Sequence, residues 1–334
     1  MNPLAARPVI AVLTAPGVDN PAGIETIEAR ADVRYTYADG LADAVAGADA
    51  LLLWDFFSTA VRDAWPRADS LRWIHIAAAG LDKLLFDELR ESEVVVTNAR
   101  GVFDRPIAEF VLASILARAK GLHVSHDHQL ERRWEHRETR TLVGEKALVV
   151  GTGAIGRESA RLLAAVGMEV RGAGRTARSG DPDFGEVVES ASLAEQVGWA
   201  DHVVVAAPLT EQTRGLVGAD VIDAMQPSAH LVNIGRGEIV DEDALLAALS
   251  SGGIAAASLD VFCHEPLPDD SPMWTTPGVV VSPHMSGDVL GWRETLARQF
   301  VDNARRFLDG EPLANVVDKR LGFVPADTSR SPRA

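Results

Sequence analysis

The sequence predicts an α/β protein of two domains, each built on a parallel sheet covered by helices. Three observations predict this class. The chain has 334 residues, about twice the usual length of a domain. Short apolar runs alternate with helical patterns in both halves of the chain. A glycine-rich turn near the middle opens the second series, and the 47% of hydrophobic residues is enough to fill two cores.

The first series of apolar runs predicts a small, flavodoxin-like parallel sheet. Its strands are expected at residues 9–13, 33–37, 50–54, 71–76 and 94–97. An amphipathic stretch from Arg105 to about Trp134 is too long for a simple connection, so we expect a crossover helix there.

The second series predicts a doubly wound parallel sheet of the Rossmann type. Its strands are expected near residues 147–150, 169–173, 202–206, 230–234, 256–261 and 279–282. One more helix is predicted over residues 292–308. Residues 325–334 lack apolar content, and a disordered tail is expected over residues 321–334.

The glycine-rich turn has the GxGxxG spacing of a dinucleotide-binding fingerprint. Gly151 permits the tight turn, Gly153 allows close approach of a pyrophosphate, and Gly156 allows the following helix to pack on the strand. Adenosyl-ligand enzymes such as methyltransferases use similar turns, and they remain an alternative. The residues expected to bind the cofactor in this turn are Thr152, Gly153, Ala154 and Ile155.

The next predicted strand lacks the acidic residue that binds the adenosine ribose of NAD. The chain instead has Gly174, Arg175, Thr176 and, two residues on, Arg178. A carboxylate would repel a 2′-phosphate, whereas arginines form charge-assisted bonds to one. We therefore expect these residues to bind NADP(H) in preference to NAD(H), which remains possible. The alternative is that both arginines are solvated loop residues.

Charge and composition exclude several classes of partner. The net charge of −16 argues against nucleic acid and anionic membranes, which attract clustered basic residues. Cys263 is the single cysteine, so no internal disulfide forms, which suits a reducing compartment. With neither a signal-peptide pattern nor an apolar run of membrane-spanning length, a cytoplasmic protein is expected.

Three polar residues follow three different strands of the second series. Arg236, Glu265 and His284 are expected to meet, because ligands of open α/β sheets bind beyond the carboxyl ends of strands. An imidazole can donate a proton to a carbonyl, a carboxylate can orient that imidazole, and a guanidinium can bind a substrate carboxylate. The set suits reduction of a 2-oxo acid, with the hydride supplied by the cofactor.

Taken together, these motifs resemble the D-isomer-specific 2-hydroxyacid dehydrogenases, over residues 77 to about 317. The resemblance implies that Arg236, Glu265 and His284 are catalytic. It also implies a homodimer formed through the nucleotide domains. The matching motifs are AAGLD (78–82), VTNARG (96–101), AE (108–109), the fingerprint, PLT (208–210) with Thr213, NIGRG (233–237), LDV (259–261) with EP (265–266), and SPH (282–284).

The same resemblance implies further binding residues. The amides of Ala79 and Gly80 would bind the substrate carboxylate. Asp260 would hold the nicotinamide carboxamide, its structural alternative being a strand-capping aspartate. The other implied cofactor contacts are Pro208, Thr213 and Ile234.

We predict two domains. The substrate domain is discontinuous and contains residues 1–101 and 288–320, and the NAD(P)-binding domain contains residues 102–287. Closure of the cleft between the two domains is expected to exclude water. The expected reaction is the NADPH-dependent reduction of a small 2-oxo acid, such as glyoxylate or hydroxypyruvate, to the D-2-hydroxy acid. A cofactor-sensing scaffold like the corepressors of this fold is the alternative. A phosphoglycerate dehydrogenase with a regulatory domain is disfavoured, since no residues remain for that domain.

Several other residues have competing interpretations. Trp54, followed by two phenylalanines, and Trp292 either line the substrate pocket or pack in the core. Cys263 and His264 are adjacent in extended chain and point apart, so a nucleophilic dyad is not expected. His123, His126 and His128 have no metal-ligand pattern around them, and no metal site is predicted.

Overall fold

The computed structural model describes residues 7–325 of the chain. The strands are β1 (Val9–Leu13), β2 (Asp32–Thr36), β3 (Ala50–Leu53), β4 (Trp73–Ile76), β5 (Val95–Asn98), β6 (Lys146–Val150), β7 (Glu169–Gly174), β8 (Arg178–Asp181), β9 (Gly185–Glu189), β10 (His202–Val205), β11 (His230–Asn233), β12 (Ala256–Leu259) and β13 (Val279–Val281). The α-helices are α1 (Glu25–Glu28), α2 (Leu41–Val45), α3 (Ala60–Ala64), α4 (Asp87–Glu91), α5 (Asp104–Ala119), α6 (Leu122–Leu130), α7 (Ala154–Ala165), α8 (Leu193–Gln196), α9 (Ala219–Asp223), α10 (Glu242–Ser251) and α11 (Trp292–Asp309). The α/β class with parallel sheets is confirmed.

The chain divides into two compact units. The first contains the described residues up to 102 and those from 290 onward, and the second contains residues 103–289. The chain therefore passes from the first unit to the second and back.

The first unit is built on a five-stranded parallel sheet in the order β2-β1-β3-β4-β5. The returning helix α11 covers this sheet, and its Phe300 stacks on Trp73 of β4 with ring centroids 5.7 Å apart. Both side chains are fully buried. Burial of such aromatic pairs attaches the C-terminal segment to the N-terminal sheet.

The segment that follows α11 is also attached to the first unit. Val317 donates a backbone hydrogen bond to Val96 of β5, and Asp318 pairs with Phe323. Residues 321–325, where the disordered tail was predicted to begin, are thus held in place, because the carbonyls of Val324 and Pro325 accept from Arg100. The rest of the predicted tail, 326–334, lies outside the described residues.

The second unit is built on an eight-stranded sheet in the order β13-β12-β11-β10-β6-β7-β9-β8. Every neighbouring pair is parallel except β8 and β9, which form an antiparallel hairpin at one edge. The sequence did not indicate this hairpin, because its residues, RSGD and GEVVE, are mostly polar.

The predicted crossover helix is two helices. Helix α5 ends at Ala119 and α6 starts at Leu122, with Gly121 between them at φ +57°. This left-handed conformation, which glycine adopts without a steric penalty, breaks the helix. Trp134, where the helix was expected to end, lies beyond α6.

Candidate active site

The three residues predicted to be catalytic follow three adjacent strands. Arg236 comes after β11, Glu265 after β12 and His284 after β13. Gly237 allows the first two loops to meet, since a Cβ there would lie 2.0 Å from the carbonyl carbon of Phe262. The absence of a side chain at residue 237 therefore brings the Arg236 loop against the segment that carries Glu265.

The imidazole of His284 is paired with the carboxylate of Glu265. Nδ1 of His284 lies 2.7 Å from Oε2 of Glu265, and the two side chains are 30% and 28% exposed. The other carboxylate oxygen, Oε1, accepts from the amide of Phe262 at 3.0 Å. The carboxylate is held at both oxygens, so the imidazole has a fixed partner.

The environment of Glu265 favours its ionised form. Partial burial acts to raise its pKa, but the hydrogen bond from His284, the Phe262 amide and the charges of His284 and Arg236 together lower the pKa below its usual value. Glu265 is therefore a carboxylate at neutral pH.

The loop that carries His284 is held by Asp260, which is 1% exposed. Its carboxylate accepts from the hydroxyl of Ser282 at 2.5 Å and from the amides of Met285 and Ser286 at 2.9 and 3.0 Å. Its carbonyl accepts from the His284 amide at 2.8 Å. His284 has φ +53°, a conformation that costs energy in a non-glycine residue, and these bonds support it.

Asp260 therefore has the strand-capping geometry that was the alternative to a nicotinamide contact. Its cofactor role stays a prediction.

Arg236 lies in extended backbone three residues after the end of β11. Its carbonyl accepts from Nδ2 of Asn233 at 3.0 Å, and Oδ1 of Asn233 accepts from the amide of Gly235 at 3.1 Å. Nη1 of Arg236 donates to the carbonyl of Gly235 at 2.7 Å. The asparagine at the strand end thus shapes the turn that presents the guanidinium.

The glycine-rich turn has the geometry that a pyrophosphate needs. A Cβ at Gly151 would lie 2.6 Å from the backbone of Ala206, and one at Gly156 would lie 1.9 Å from the carbonyl oxygen of Gly151. At Gly153, the N-cap of α7, a Cβ would meet no atom within 4 Å, so open space lies before the helix N-terminus. Thr152, Ala154 and Ile155 flank this point. The turn fits a dinucleotide.

The end of β7 has a glycine where a ribose-binding carboxylate would stand. A Cβ at Gly174 would lie 3.1 Å from Oγ1 of Thr152. Arg175 and Thr176 are exposed in the turn that follows. Arg178 opens the hairpin, and its guanidinium donates to Asp181 through Nε at 2.9 Å.

The remaining predicted cofactor residues follow β10 and β11. The hydroxyl of Thr213 donates to the carbonyl of Pro208 at 2.6 Å and accepts from the amide of Thr210 at 2.8 Å, which folds the loop after β10. Ile234 is buried directly after β11.

Besides Arg236 and His284 of the second unit, the residues predicted to bind substrate lie in the first unit. In the described part of the chain, the amides of Ala79 and Gly80 have no intramolecular acceptor, and Nδ2 of Asn98 donates to the Ala79 carbonyl at 2.7 Å. The indole of Trp54 is buried and donates to the carbonyl of Asp19. This environment is the one expected if Trp54 packs in the core. Trp292 begins α11 and makes an edge contact with Phe56 at 6.1 Å.

Cys263 and the metal-ligating residue types were not expected to form a site. Burial, together with Glu242, raises the pKa of Cys263 to about 12, so its thiol is not a nucleophile at neutral pH. Within residues 7–325, no three His, Cys, Asp or Glu side chains are grouped to hold a metal ion, and no helix has the length and apolar character needed to cross a membrane.

The sequence reasoning missed the charged cluster beside the cofactor turn. Arg157 of α7 makes a bidentate pair with Asp181, with both N–O distances 2.9 Å. No motif indicates this pair, because Asp181 belongs to the hairpin that the sequence did not predict.

A dinucleotide turn after β6, together with an imidazole–carboxylate pair after the neighbouring strands β12 and β13, is typical of a dehydrogenase that uses a nicotinamide nucleotide. Residues 112–286 match the family model of the D-isomer specific 2-hydroxyacid dehydrogenase NAD binding domain. The chain belongs to the D-isomer-specific 2-hydroxyacid dehydrogenase family.

Three proteins similar to this chain illustrate the range of the family. The (S)-sulfolactate dehydrogenase of Chromohalobacter salexigens is 33% identical over 74% of this chain and 81% of its own length. Glyoxylate/hydroxypyruvate reductase B of Pectobacterium carotovorum is 33% identical over 78% and 83%. A D-isomer specific 2-hydroxyacid dehydrogenase of Xanthobacter autotrophicus Py2, solved with NADPH and MES, has 32% identity and a TM-score of 0.79 over 96% of this chain and all of that one.

Proposed function

We propose that this enzyme reduces a small 2-oxo acid, such as glyoxylate or hydroxypyruvate, to the D-2-hydroxy acid with NADPH. The observation that carries the proposal is the 2.7 Å contact between Nδ1 of His284 and Oε2 of Glu265. Arg236, at the end of the adjacent strand, lowers the pKa of the same carboxylate. Reduction of a carbonyl next to a carboxylate needs a positioned proton donor, here His284, and a cation that binds the substrate, here Arg236.

His284 has the role of proton donor. With Nδ1 paired to Glu265, Nε2 carries the proton that is delivered to the carbonyl oxygen as that oxygen becomes a hydroxyl. Arg236 binds the substrate and polarises the carbonyl, and its planar fork suits the carboxylate. A reduced nicotinamide supplies the hydride when bound.

The preference for NADPH is supported at the end of β7. Gly174 occupies the place of a ribose-binding acid, and Arg175, Thr176 and Arg178 follow it. A Cβ at residue 174 would make a tight contact, 3.1 Å, with Oγ1 of Thr152. A similar solved structure, the Xanthobacter enzyme, contains NADPH.

Binding of the substrate carboxylate is assigned to the amides of Ala79 and Gly80. Two neighbouring backbone N–H groups without acceptors in the described structure suit an anion. Roles for Trp54 and Trp292 in the substrate pocket remain predictions. The relatives named for glyoxylate, hydroxypyruvate and sulfolactate define the substrates to test.

Association into a homodimer through the second unit is also part of the proposal. Leu130, at the end of α6, is 71% exposed, and Trp134 beyond it is fully exposed. Leu122 and Val143 of the same unit are exposed as well. Large apolar side chains exposed together are typical of a surface that a partner covers.

The experiment is a kinetic panel that follows oxidation of NADPH and of NADH with glyoxylate, hydroxypyruvate, pyruvate and phenylpyruvate. Sulfolactate is tested in the oxidative direction with NADP+ and NAD+. We expect the highest kcat/KM with NADPH and glyoxylate or hydroxypyruvate. Absence of turnover with every 2-oxo acid, while the cofactor still binds, would refute the enzymatic proposal and favour a cofactor-sensing scaffold.

A further inference from the structure

The β8–β9 hairpin contains a buried carboxylate that binds two arginines from different elements. The side chain of Asp181 is 3% exposed. It accepts the bidentate pair from Arg157 of α7, and its Oδ2 also accepts Nε and Nη2 of Arg178, at 2.9 and 2.8 Å. Its Oδ1 additionally accepts from the amide of Asp183 at 3.1 Å. A carboxylate buried to this extent requires such charged partners.

The hairpin is shaped so that Arg178 and Asp181 meet. In a regular strand, residues three apart point to opposite faces. Here the register with β9 shifts between Ser179 and Asp181, and Gly180 has φ +73°. This bulge turns the strand by one residue, so the two side chains come to the same face.

That face is the one covered by α7, whose N-terminus faces the pyrophosphate position. Arg157, from the first turn of α7, stacks over the ring of Phe184 at 5.4 Å and reaches Asp181. The same ring lies 3.0 Å from where a Cβ of Gly172 would be. The hairpin is therefore packed tightly on β7, the strand that ends at Gly174.

The bonds to Asp181 fix one edge of the Arg178 guanidinium and leave another for a ligand. Nε and Nη2 are directed at Asp181, and Nη1 has no acceptor in the described part of the chain. The side chain is 38% exposed. A guanidinium has five N–H donors, so a phosphate can be bound at the outer edge while the inner edge stays on the carboxylate.

We propose that Asp181 is a positioning residue for recognition of the 2′-phosphate of the cofactor, because it holds the Arg178 fork in the orientation that binds the phosphate. The proposal rests on the proposed NADPH preference and extends it to a residue that does not touch the cofactor. The carboxylate of Asp181 reduces the local positive charge, but it fixes the orientation of the Arg178 guanidinium. Removal of this carboxylate therefore separates the effect of orientation on phosphate binding from the effect of charge.

The test uses two nucleotides that differ only in the 2′-phosphate, adenosine 2′,5′-bisphosphate (2′,5′-ADP) and 5′-AMP, titrated calorimetrically into the whole protein. For Asp181→Asn we expect the affinity for 2′,5′-ADP to fall about tenfold or more, and that for 5′-AMP to change less than about threefold. Asp183→Asn is the matched control. Asp183 pairs with Arg157 and Arg161 but not with Arg178, so both affinities should stay within about threefold.

Four results would overturn the proposal. Tighter binding of 2′,5′-ADP by Asp181→Asn would show that the carboxylate competes with the phosphate. An equal loss for both nucleotides would show a purely structural role. If the native protein does not distinguish the two nucleotides, the proposed NADPH preference fails and the role of Asp181 fails with it. If the native protein distinguishes them and Asp181→Asn does so equally, only the role of Asp181 fails.

A second variant decides the question if Asp181→Asn does not fold. In Arg178→Lys the charge is kept, but one ammonium group replaces a fork with two usable edges. A lysine drawn to Asp181 is turned from the phosphate, so we expect a loss of 2′,5′-ADP affinity as large as that of Arg178→Ala. Affinity retained by the lysine variant would mean that charge alone suffices and would contradict the proposal.

Discussion

Nδ1 of His284 lies 2.7 Å from Oε2 of Glu265, although 19 residues separate them in the chain. Since β12 and β13 are neighbouring parallel strands, the residues after them reach the same edge of the sheet. With Nδ1 paired to Glu265, Nε2 is the nitrogen to which we assign proton donation. Two predictions test this pair directly.

His284→Ala should abolish most turnover and leave cofactor binding intact. Loss of a positioned general acid costs about 10²- to 10⁴-fold in rate. The measurement is kcat with NADPH and glyoxylate, alongside the Kd for NADPH from fluorescence. His264→Ala, an exposed histidine of the neighbouring loop, is the control and should keep native turnover. Turnover within a few-fold of native for His284→Ala would exclude it as the proton donor.

Glu265→Gln should lower the rate and leave cofactor binding intact. The pKa of Glu265 lies below its usual value, so the carboxylate is charged throughout the neutral range and pairs with Nδ1 of His284. The amide removes that charge and weakens the orientation of the imidazole, so kcat with NADPH and glyoxylate should fall about 10- to 100-fold while the Kd for NADPH stays unchanged. Turnover within a few-fold of native would contradict the positioning role of Glu265.

Replacement of both Arg175 and Arg178 by Ala tests recognition of the 2′-phosphate. Loss of two charge-assisted contacts should raise the Kd for NADPH about 100-fold, and the Kd for NADH about threefold or less. Both constants are measured by titration of the same preparation. Equal weakening of the two cofactors would show that these arginines do not recognise the phosphate.

The exposed apolar surface of the second unit predicts the oligomeric state. Leu130→Glu with Trp134→Glu should convert a dimer to a monomer, because two charges would have to be buried in the interface. Sedimentation of native and variant protein measures this. Trp274→Glu, at a half-exposed tryptophan of the same unit, is the control and should remain dimeric. A native protein that sediments as a monomer at micromolar concentration would contradict the proposal.

The free energy of unfolding should fall as the pH falls, because of a buried histidine in the first unit. His75 of β4 is fully buried, with Nδ1 2.8 Å from the hydroxyl of Thr97, and burial lowers its pKa from 6.5 to about 3. Below pH 6.5 the unfolded chain binds a proton that the folded chain does not, so the free energy of unfolding falls as the pH falls, until about pH 3. The slope is up to about 1.4 kcal/mol per pH unit for one histidine.

His75→Phe should therefore flatten this dependence, measured by urea unfolding between about pH 5 and pH 7. His123→Ala, at an exposed position on α6, serves as the control and should leave the slope unchanged. Some slope remains in either variant, because burial also lowers the pKa of His230 to about 3. A slope that His75→Phe does not reduce would contradict the assignment.

Much of this architecture could be predicted from local patterns. The buried strands are mostly short runs of Val, Leu, Ile and Ala. The apolar character of a run such as residues 147–150 depends on its residues alone and can be recognised without the tertiary structure. The spacing of Gly151, Gly153 and Gly156 reflects backbone approaches that any side chain would block. Arg236, Glu265 and His284 could be selected because each follows such a run.

The β8–β9 hairpin could not be predicted in this way. Strand β8 is polar, and the buried apolar run of β9 is only the two residues Val187 and Val188, which is too short to predict a strand. The break at Gly121 was also missed, because a single glycine is tolerated in many helices.

The sequence by itself determined the α/β class, the order of the strands along the chain and the chemical types available at their ends, since these depend on residue identity and short-range spacing. Only the tertiary structure decided which groups meet. It paired Asp260 with the loop of His284, and Asp181 with Arg157 and Arg178. Such pairs join residues more than 20 positions apart, or neighbours across a bulge, and their distances follow from sheet register and helix packing rather than from local sequence.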